Sequence, residues 1–492
     1  MNSKIRKVLA AVFFTLVTLL FLDFTGTLHA WFGWMAKIQF LPALLALNVG
    51  VVALLVVLTL VMGRIYCSVI CPLGVFQDIA GWLGKKAKKH RYTYSKPLTW
   101  LRYAMLGLFT IALVAGVGSL VALLAPYSAW GRIVSNLFSP LYLWGNNLLA
   151  HFAEQAESYT FYSTEVWIKG GATLLVAILT FVILGVLAWR NGRTYCNTIC
   201  PVGTVLGFLA RFSWLKPVID TSKCNSCGLC ARNCKAACID SKTHSIDYSR
   251  CVVCLDCIDT CKKGAIRYVH RAKSADSAQA PKVDEGRRAF MTATAIATAT
   301  GLVKAQEKKL DGGLATIEDK QIPERTTPIL PPGARSARNF HQHCTACQLC
   351  VQVCPNQVLR PSTGLMNLMQ PEASYERGYC RPECTKCSEV CPAGAIRPID
   401  RAEKSSIQVG HAVWIEQNCV VNTDGVSCGN CERHCPTGAI QMVPKDASNP
   451  RSLKIPVIDT ERCIGCGACE NLCPSRPFSA IYVEGHEVHR TL

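Results

Sequence analysis

Cysteine is the residue of this chain whose number and spacing point most clearly to chemistry. The chain has 492 residues and 29 cysteines, most of which stand in six short runs. The first two runs, at 224–234 and 251–261, share the spacing C-x2-C-x2-C-x3-C. This is the spacing of two-cluster bacterial ferredoxins, in which the fourth cysteine of each run ligates the other cluster, rather than the isolated C-x2-C pairs of zinc sites. The spacing predicts two [4Fe–4S] sites, one of Cys224, Cys227, Cys230 and Cys261, the other of Cys251, Cys254, Cys257 and Cys234.

These two runs differ from the ferredoxin pattern at the position after the fourth cysteine. Ferredoxins usually have proline there, whereas this chain has Lys235 and Lys262. Neither lysine removes a ligand, but positive charge close to a cluster raises its reduction potential. Cys238 stands outside every run, and we interpret it as structural.

Four further runs occupy the last third of the chain, and each ends in Cys-Pro. The outer two have regular spacing, whereas the first gap is longer in the inner two. A symmetric arrangement would pair the first run with the fourth and the second with the third, although pairing in chain order is also compatible with the spacing. Symmetric pairing predicts four more sites: Cys344, Cys347, Cys350 with Cys473; Cys463, Cys466, Cys469 with Cys354; Cys380, Cys384, Cys387 with Cys435; and Cys419, Cys428, Cys431 with Cys391.

A twelve-residue pattern occurs twice in the first half of the chain. Residues 63–74 read GRIYCSVICPLG and residues 192–203 read GRTYCNTICPVG. In a helix, cysteines four residues apart lie on one face. The remaining four cysteines could therefore converge in a further metal or redox site, or could be inert buried thiols of a packing motif; they are Cys67, Cys71, Cys196 and Cys200.

Apolar stretches predict that this half of the chain spans a membrane. They lie at about 8–22, 39–62, 98–125 and 167–189, and about 20 apolar residues are needed to cross a bilayer. The first stretch is short and also fits a signal peptide that ends near Ala30. We favour a retained helix, because Asp23 falls at its outer end.

Positive charge indicates the orientation of these helices. Lysine and arginine collect before the first helix, after the second and after the fourth, whereas the 126–166 loop has few. By the positive-inside rule, residues from 190 onward begin in the cytoplasm. The net charge of +19 comes mainly from residues 1–330, which contain 36 basic and 18 acidic residues. We therefore expect these charges to determine the membrane topology and to contact anionic lipid headgroups. They do not indicate nucleic-acid binding.

The segment at 271–335 separates the two groups of runs and is rich in Ala, Thr and Pro. Within it, residues 286–291 read GRRAFM and precede a weakly apolar stretch that extends to Val303. This pattern is typical of a twin-arginine export signal and predicts a fifth membrane helix with a periplasmic C-terminal part. A charged linker with a surface helix is the alternative. The predicted domains are 1–215 (helical), 216–270 (two clusters), 271–335 (linker) and 336–492 (four clusters).

Several cofactors lack a sequence signature. There is no C-x2-C-H motif for a c-type haem, no histidine lies deep in a predicted membrane helix, and no nucleotide-binding glycine motif is present. Haem, NAD and flavin are therefore not expected, whereas six [4Fe–4S] clusters are.

The motifs resemble those of known families. Residues 1–270, with four helices, two C-x3-C-P repeats and two ferredoxin runs, resemble the NapH family of membrane quinol dehydrogenase subunits. From about residue 286 the chain resembles the NapG and MauM polyferredoxins, so the whole is similar to a fusion of the two. The expected fold is a membrane α-helical bundle of four helices in two repeated pairs with a fifth, followed by α+β ferredoxin-like domains.

The resemblance implies that the protein oxidises menaquinol or ubiquinol in the bacterial inner membrane. It would pass electrons through its clusters to a periplasmic reductase or c-type cytochrome. Candidate quinol-site residues at the outer interface are His29, Trp31 and Trp34, although aromatic residues there are often only an interfacial belt.

Two other functions agree with the same motifs. The membrane half also resembles part of the NosR regulator and of the CcoG assembly factor, which implies an electron donor that reduces a metal centre of a partner enzyme. Alternatively, all the clusters could face the cytoplasm, as a membrane-bound polyferredoxin.

Overall fold

A computed structural model of the chain describes residues 3–88, 92–158, 160–270 and 318–491. The twin-arginine motif and the helix predicted after it lie outside the described residues.

The first 210 residues form a helical domain. Helices α1 and α12 of this domain are long and apolar enough to cross a bilayer, and several shorter helices are also apolar. In chain order its helices are α1 (Ser3–Leu22), α2 (Thr27–Phe32), α3 (Trp34–Lys37), α4 (Phe40–Leu45), α5 (Val49–Met62), α6 (Ile65–Val69), α7 (Pro72–Lys88), α8 (Thr99–Ala115), α9 (Gly118–Leu124), α10 (Pro126–Ile133), α11 (Ser139–Gln155), α12 (Gly171–Asn191), α13 (Thr194–Thr198) and α14 (Pro201–Ala210).

Two of the predicted continuous helices are broken. The stretch at 39–62 contains α4 and α5, because Asn48 caps the second helix by accepting a hydrogen bond from the amide of Val51. The stretch at 98–125 contains α8 and α9, which are separated at Gly116, where φ is 75°. The predicted loop at 126–166 is largely helical, and it begins with Pro126 in the first turn of α10.

The repeated pattern forms a turn that sends the chain back into the helical domain. At the end of α5, the backbone lies beside the first ferredoxin domain, where the Tyr268 hydroxyl donates to the carbonyl of Met62 at 2.8 Å. After α6, helix α7 returns to the same side, and Lys85 binds Asn233 there. Between these points the Tyr66 hydroxyl donates to Gln39 in the core at 3.0 Å. The α12–α13–α14 segment repeats this path.

Residues 215–270 form the first ferredoxin domain. Strands β1 and β4 pair antiparallel, from Leu215 opposite His270 to Ile219 opposite Ile266. Two short helices lie between these strands in the chain and pack against each other. Each helix belongs to one cysteine run, as in a two-cluster ferredoxin. The elements are β1 (Leu215–Ile219), α15 (Leu229–Asn233), β2 (Ile239–Asp240), β3 (Ser245–Ile246), α16 (Asp256–Thr260) and β4 (Ile266–His270).

The C-terminal domain contains the other four runs on short helices and strand pairs. Strands pair antiparallel as β5 with β6, β7 with β10 and β8 with β9. The elements are α17 (Ala337–His343), α18 (Leu349–Gln352), β5 (Leu359–Pro361), β6 (Pro371–Ala373), α19 (Lys386–Val390), α20 (Arg401–Ser406), β7 (Ile407–Trp414), α21 (Val420–Thr423), α22 (Asn430–Arg433), β8 (Ile440–Pro444), β9 (Lys454–Ile458), α23 (Ala468–Leu472) and β10 (Ile481–Thr491).

The end of the predicted linker belongs to this C-terminal domain. Arg325 pairs with the buried carboxylate of Glu470, and the Lys320 ammonium donates to the carbonyl oxygens of Glu470 and Asn471 at 2.7 Å. The lysine thereby satisfies carbonyl groups at the C-terminal end of α23, which a helix leaves without partners.

The C-terminal domain rests directly on the helical domain. Asn136 donates to the side chain of Gln348 at 2.9 Å, and Arg132 donates to the carbonyl of Ala346 at 3.5 Å. The approach is close enough that a Cβ atom at Gly131 would lie 2.6 Å from the carbonyl oxygen of Cys347. A small residue is therefore required at this contact.

Lys235 joins the first ferredoxin domain to the helical domain on the other side. Its ammonium lies 3.2 Å from the carboxylate of Asp78 on α7 and 2.9 Å from that of Asp256. Its backbone carbonyl accepts a hydrogen bond from the amide of Arg193 at 2.8 Å. This contact explains why lysine replaces the usual proline, since proline has no side chain that could form these ion pairs.

Replacing Lys235 with methionine should loosen this contact, because Asp78 and Asp256 would each lose a largely buried cationic partner. Removing one partner of a buried ion pair costs about 3 kcal/mol. We expect amide hydrogen exchange in residues 229–261 to accelerate by roughly tenfold or more. Lys262→Met is the matched control, since Lys262 follows the fourth cysteine of the next run and is exposed. Equal acceleration in both variants would contradict the docking role of Lys235.

Candidate iron–sulfur sites

The first ferredoxin domain has two cavities that are lined by cysteine. The short helices α15 and α16 each contain the third cysteine of their run. Each helix is preceded by a capping residue with positive φ, Gly228 or Leu255. The cavities bring together the two sets that the spacing predicts: site I, Cys224, Cys227, Cys230 and Cys261, and site II, Cys251, Cys254, Cys257 and Cys234. Four thiols around an apolar space are the donors that a [4Fe–4S] cube requires, so these residues fit the cluster.

The structure groups the four C-terminal runs in chain order, the alternative that the spacing left open, and does not bring together the symmetric sets. Runs one and two exchange their fourth cysteines, and so do runs three and four. The resulting sets are site III, Cys344, Cys347, Cys350 and Cys391; site IV, Cys380, Cys384, Cys387 and Cys354; site V, Cys463, Cys466, Cys469 and Cys435; and site VI, Cys419, Cys428, Cys431 and Cys473.

Local packing between neighbouring runs explains this grouping. Helices α18 and α19, from runs one and two, pack together, and so do α22 and α23 from runs three and four. Strand β8 follows run three, and β9 precedes run four; the two pair from Ile440 opposite Ile458. Each pair of neighbouring runs therefore closes into a ferredoxin module of its own.

Backbone contacts connect the C-terminal sites with the helical domain and with each other. Site III contains Cys347, whose carbonyl lies against Gly131 on α10. Sites III and IV share one module, and the amide of Cys380 in site IV donates to the carbonyl of Cys466 in site V at 2.9 Å. Sites V and VI share the last module.

Eight of the 24 cysteines of these sites are buried and most of the others are partly buried, and burial disfavours the thiolate. Desolvation raises the pKa of Cys254 and of Cys466 to about 12, and that of Cys431 to about 11. These three thiols therefore keep their protons at neutral pH until a metal replaces them, as ligation requires. Among the described residues, no group of three or more Cys, His, Asp or Glu side chains could hold a single metal ion.

Cys238, which we interpreted as structural, contacts two predicted ligands of site II. Its sulfur lies 3.5 Å from the sulfur of Cys234, and it also forms a hydrogen bond with Cys251. The side chain is buried, with 1% exposure. These bonds lower the pKa of Cys234 to about 7 and also lower that of Cys251, whereas the pKa of Cys238 rises. Cys238 therefore keeps its single proton, which it can donate to the sulfur of Cys234 or of Cys251.

The four cysteines of the two repeats come together in the helical domain. All four side chains are buried, and their thiols lie within electrostatic range of one another. The convergence that the repeat allowed is therefore present in the structure.

The candidate quinol-site residues do not form one group. His29 is held by Asp23, with 3.2 Å between Nδ1 and the carboxylate, and its Nε2 is buried without a partner. Trp31 and Trp34 are 79% and 52% exposed. Sequence reasoning missed the pairing of Asp23 with His29, although an acidic residue six positions before the histidine was a visible signal.

The loop that contains Asp23 also touches the C-terminal domain. Lys386 donates from its ammonium to the carbonyl of Thr25 at 3.3 Å. Lys386 precedes Cys387 of site IV, so the loop after α1 lies beside that site.

Paired substitutions distinguish the two groupings of the C-terminal runs. Because Cys344 and Cys391 share site III in the structure, replacing both with alanine should remove one cluster, or about four iron atoms per chain. Replacing Cys344 together with Cys473 should damage two sites and remove about eight. Iron and acid-labile sulfide, measured per chain, provide the comparison. A loss of about eight iron atoms in the first double variant and about four in the second would instead support the symmetric pairing.

Replacing Cys238 with alanine should lower the reduction potential of the site II cluster, because the ligand sulfurs lose the one S–H donor that faces them. One net hydrogen bond of about 1 kcal/mol corresponds to roughly 40 mV for a one-electron couple. An EPR-monitored redox titration measures the shift. Cys238→Ser, which keeps a donor, should retain most of the potential, and an unchanged potential in the alanine variant would refute this role.

Three ranges of the chain match known families. Residues 44–90 and 173–219, which contain the two repeats, both match the family described as a 4Fe-4S binding domain. Residues 424–476 match the 4Fe-4S dicluster domain, and this range contains cysteines of sites V and VI. Two matches to one family support the internal repeat. No solved structure matches the chain.

Several ferredoxin-type proteins are similar to part of the chain. The methylamine utilization ferredoxin-type protein MauM of Methylophilus methylotrophus is 32% identical over 171 residues, which cover 33% of this chain and 72% of that protein. The ferredoxin-type protein NapG of Escherichia coli is 29% identical over 201 residues, 39% of this chain and 83% of that protein. The ferredoxin-type protein NapF of the same organism is 26% identical over 179 residues, which cover 36% of this chain and 99% of that protein. By its likeness to MauM, this chain belongs to the family of MauM-type ferredoxin-type proteins.

Proposed function

We propose that this protein is a membrane-bound iron–sulfur quinol dehydrogenase that delivers electrons to a reductase or c-type cytochrome outside the cytoplasm. One observation carries the proposal: sites III and IV contact the helical domain, at Gly131 and at Thr25, and site IV in turn contacts site V. Iron–sulfur clusters carry single electrons, so these contacts suit transfer from a donor in the membrane through sites III and IV to the last module.

Membrane anchoring is supported by the helical domain. Helices α1 and α12 are long and apolar enough to span a bilayer, and many large apolar side chains of the domain are exposed, among them Leu54, Ile111, Val114 and Val182. Exposed apolar surface of this kind suits lipid. With the basic segments on the cytoplasmic side, the first ferredoxin domain would lie inside and the C-terminal domain outside.

The outer end of α1 offers a proton acceptor for quinol. Oxidation of a quinol releases two electrons and two protons, so the site needs a base beside an electron acceptor. Burial lowers the pKa of His29, which keeps its ring neutral at pH 7, and Asp23 holds Nδ1 so that Nε2 is free to accept a proton. The contact of Lys386 with Thr25 places this loop beside site IV.

Menaquinol added to the purified protein under anaerobic conditions should produce the EPR signals of reduced clusters. His29→Ala should slow this reduction by roughly 100-fold, the usual contribution of a general base, and should leave reduction by dithionite unchanged. His151→Ala, on an exposed part of α11, is the matched control. Unchanged EPR signals in the wild-type protein would disprove quinol oxidation and favour the role of a donor to a partner's metal centre.

A further inference from the structure

We infer that the two repeats of the helical domain together build one four-thiolate site that binds a single [4Fe–4S] cluster. Its ligands are Cys67 and Cys71 from the first repeat and Cys196 and Cys200 from the second. Each repeat alone provides only two thiols, and a cube requires four ligands. The inference does not depend on quinol oxidation.

The backbone of each repeat places its two cysteines at equivalent positions. The first cysteine lies in the short helix, α6 or α13, and the second immediately precedes a helix that begins with proline, α7 or α14. Proline suits this position, since the first turn of a helix needs no donor there. All four cysteines are at most 4% exposed, and their thiols interact electrostatically.

Exchanged arginine contacts lock the two repeats together. Arg64 donates to the carbonyl of Cys196 at 3.1 Å, and Arg193 donates to the carbonyl of Cys67 at 2.5 Å. Both side chains are fully buried. The last glycine of each repeat makes this possible, because a Cβ atom at Gly74 would lie 2.2 Å from the Cys67 carbonyl oxygen, and the equivalent atom in the second repeat would lie 2.3 Å from that of Cys196.

Hydrogen-bond donors point at the sulfur atoms. Gln77 donates from Nε2 to the sulfur of Cys196 at 3.2 Å, and the amide of Gly203 donates to that of Cys200 at 3.4 Å. The Arg64 guanidinium lies 3.8 Å from the sulfur of Cys67. Hydrogen bonds to the ligand sulfurs are one of the means by which a protein tunes an iron–sulfur cluster, so these donors suit a set of cluster ligands.

The charge balance also requires an anion at this position. Arg193 pairs with Asp78 at 2.7 Å. Arg64, in contrast, binds the side-chain oxygen of Asn197, two backbone carbonyls and a cysteine sulfur. A guanidinium buried among neutral partners is costly. Four thiolates that hold an iron–sulfur cube carry net negative charge and would neutralise it, whereas a disulfide would not.

The site lies between the two groups of ferredoxin sites. On one side, Asn197 donates to the carbonyl of Ala236 at 3.2 Å, two residues from Cys234 of site II. On the other side, the Tyr195 hydroxyl donates to the carbonyl of Leu124 at 3.1 Å, directly before α10, on which site III rests. A one-electron centre here would join the two groups.

Iron and acid-labile sulfide counts in the full-length, fully loaded protein test the inference. Six cubes account for 24 iron atoms, and a seventh raises the total to about 28. Replacing Cys67 and Cys196 with serine should remove about four iron and four sulfide, whereas Ser68→Ala, which changes a buried side chain of the first repeat that is not a thiol, should remove none.

The wild-type count alone can overturn the inference if the double variant does not fold. A total near 24 iron atoms, equal iron in both proteins, or zinc in place of the additional iron would each contradict a cluster in the helical domain. The quinol experiment has a separate readout, so either proposal can fail while the other stands.

Discussion

Two buried guanidinium groups, each bound to a backbone carbonyl of the other repeat, hold the centre of the molecule together. Arg64 and Arg193 cross between the repeats to the residues that carry the first thiol of each pair. A buried cation without partners costs several kcal/mol, so each repeat satisfies its arginine only when the other is in place. The four thiols converge as a consequence of this exchange, and the glycines that end the repeats are the small residues that the crossing requires.

Both ferredoxin domains depend on the surface that this exchange creates. The backbone amide of Arg193 donates to the carbonyl of Lys235, and its guanidinium pairs with Asp78. Asp78 also pairs with the Lys235 ammonium. On the opposite side, α10 lies close to the loop of site III at Gly131. The helical domain therefore contacts both sets of thiol sites, one on each side.

The grouping of the C-terminal cysteines follows a different constraint, the short range of ferredoxin packing. A run can exchange its fourth cysteine only with a run whose helix lies beside its own, and β8 and β9 hold runs three and four in that relation. Spacing within a run says which three cysteines share a cluster, because they lie in one tight loop. In the C-terminal domain the spacing does not say which loop supplies the fourth cysteine. Symmetric pairing and pairing in chain order were therefore both compatible with the sequence, and the structure groups the runs in chain order.

Sequence alone determined what depends on local geometry: the ferredoxin spacing of sites I and II, the three-cysteine core of every other site, and the repeated pattern around Cys67 and Cys196. It also located the apolar stretches, though not the breaks at Asn48 and Gly116 within them. Only the tertiary structure decided which fourth cysteine joins each C-terminal site, why Lys235 replaces proline, and that Cys238 lies within hydrogen-bond distance of two ligand sulfurs. These contacts join segments that are distant in the chain or depend on exact side-chain placement, and their energy comes from burial and charge pairing that exist only after the domains have packed.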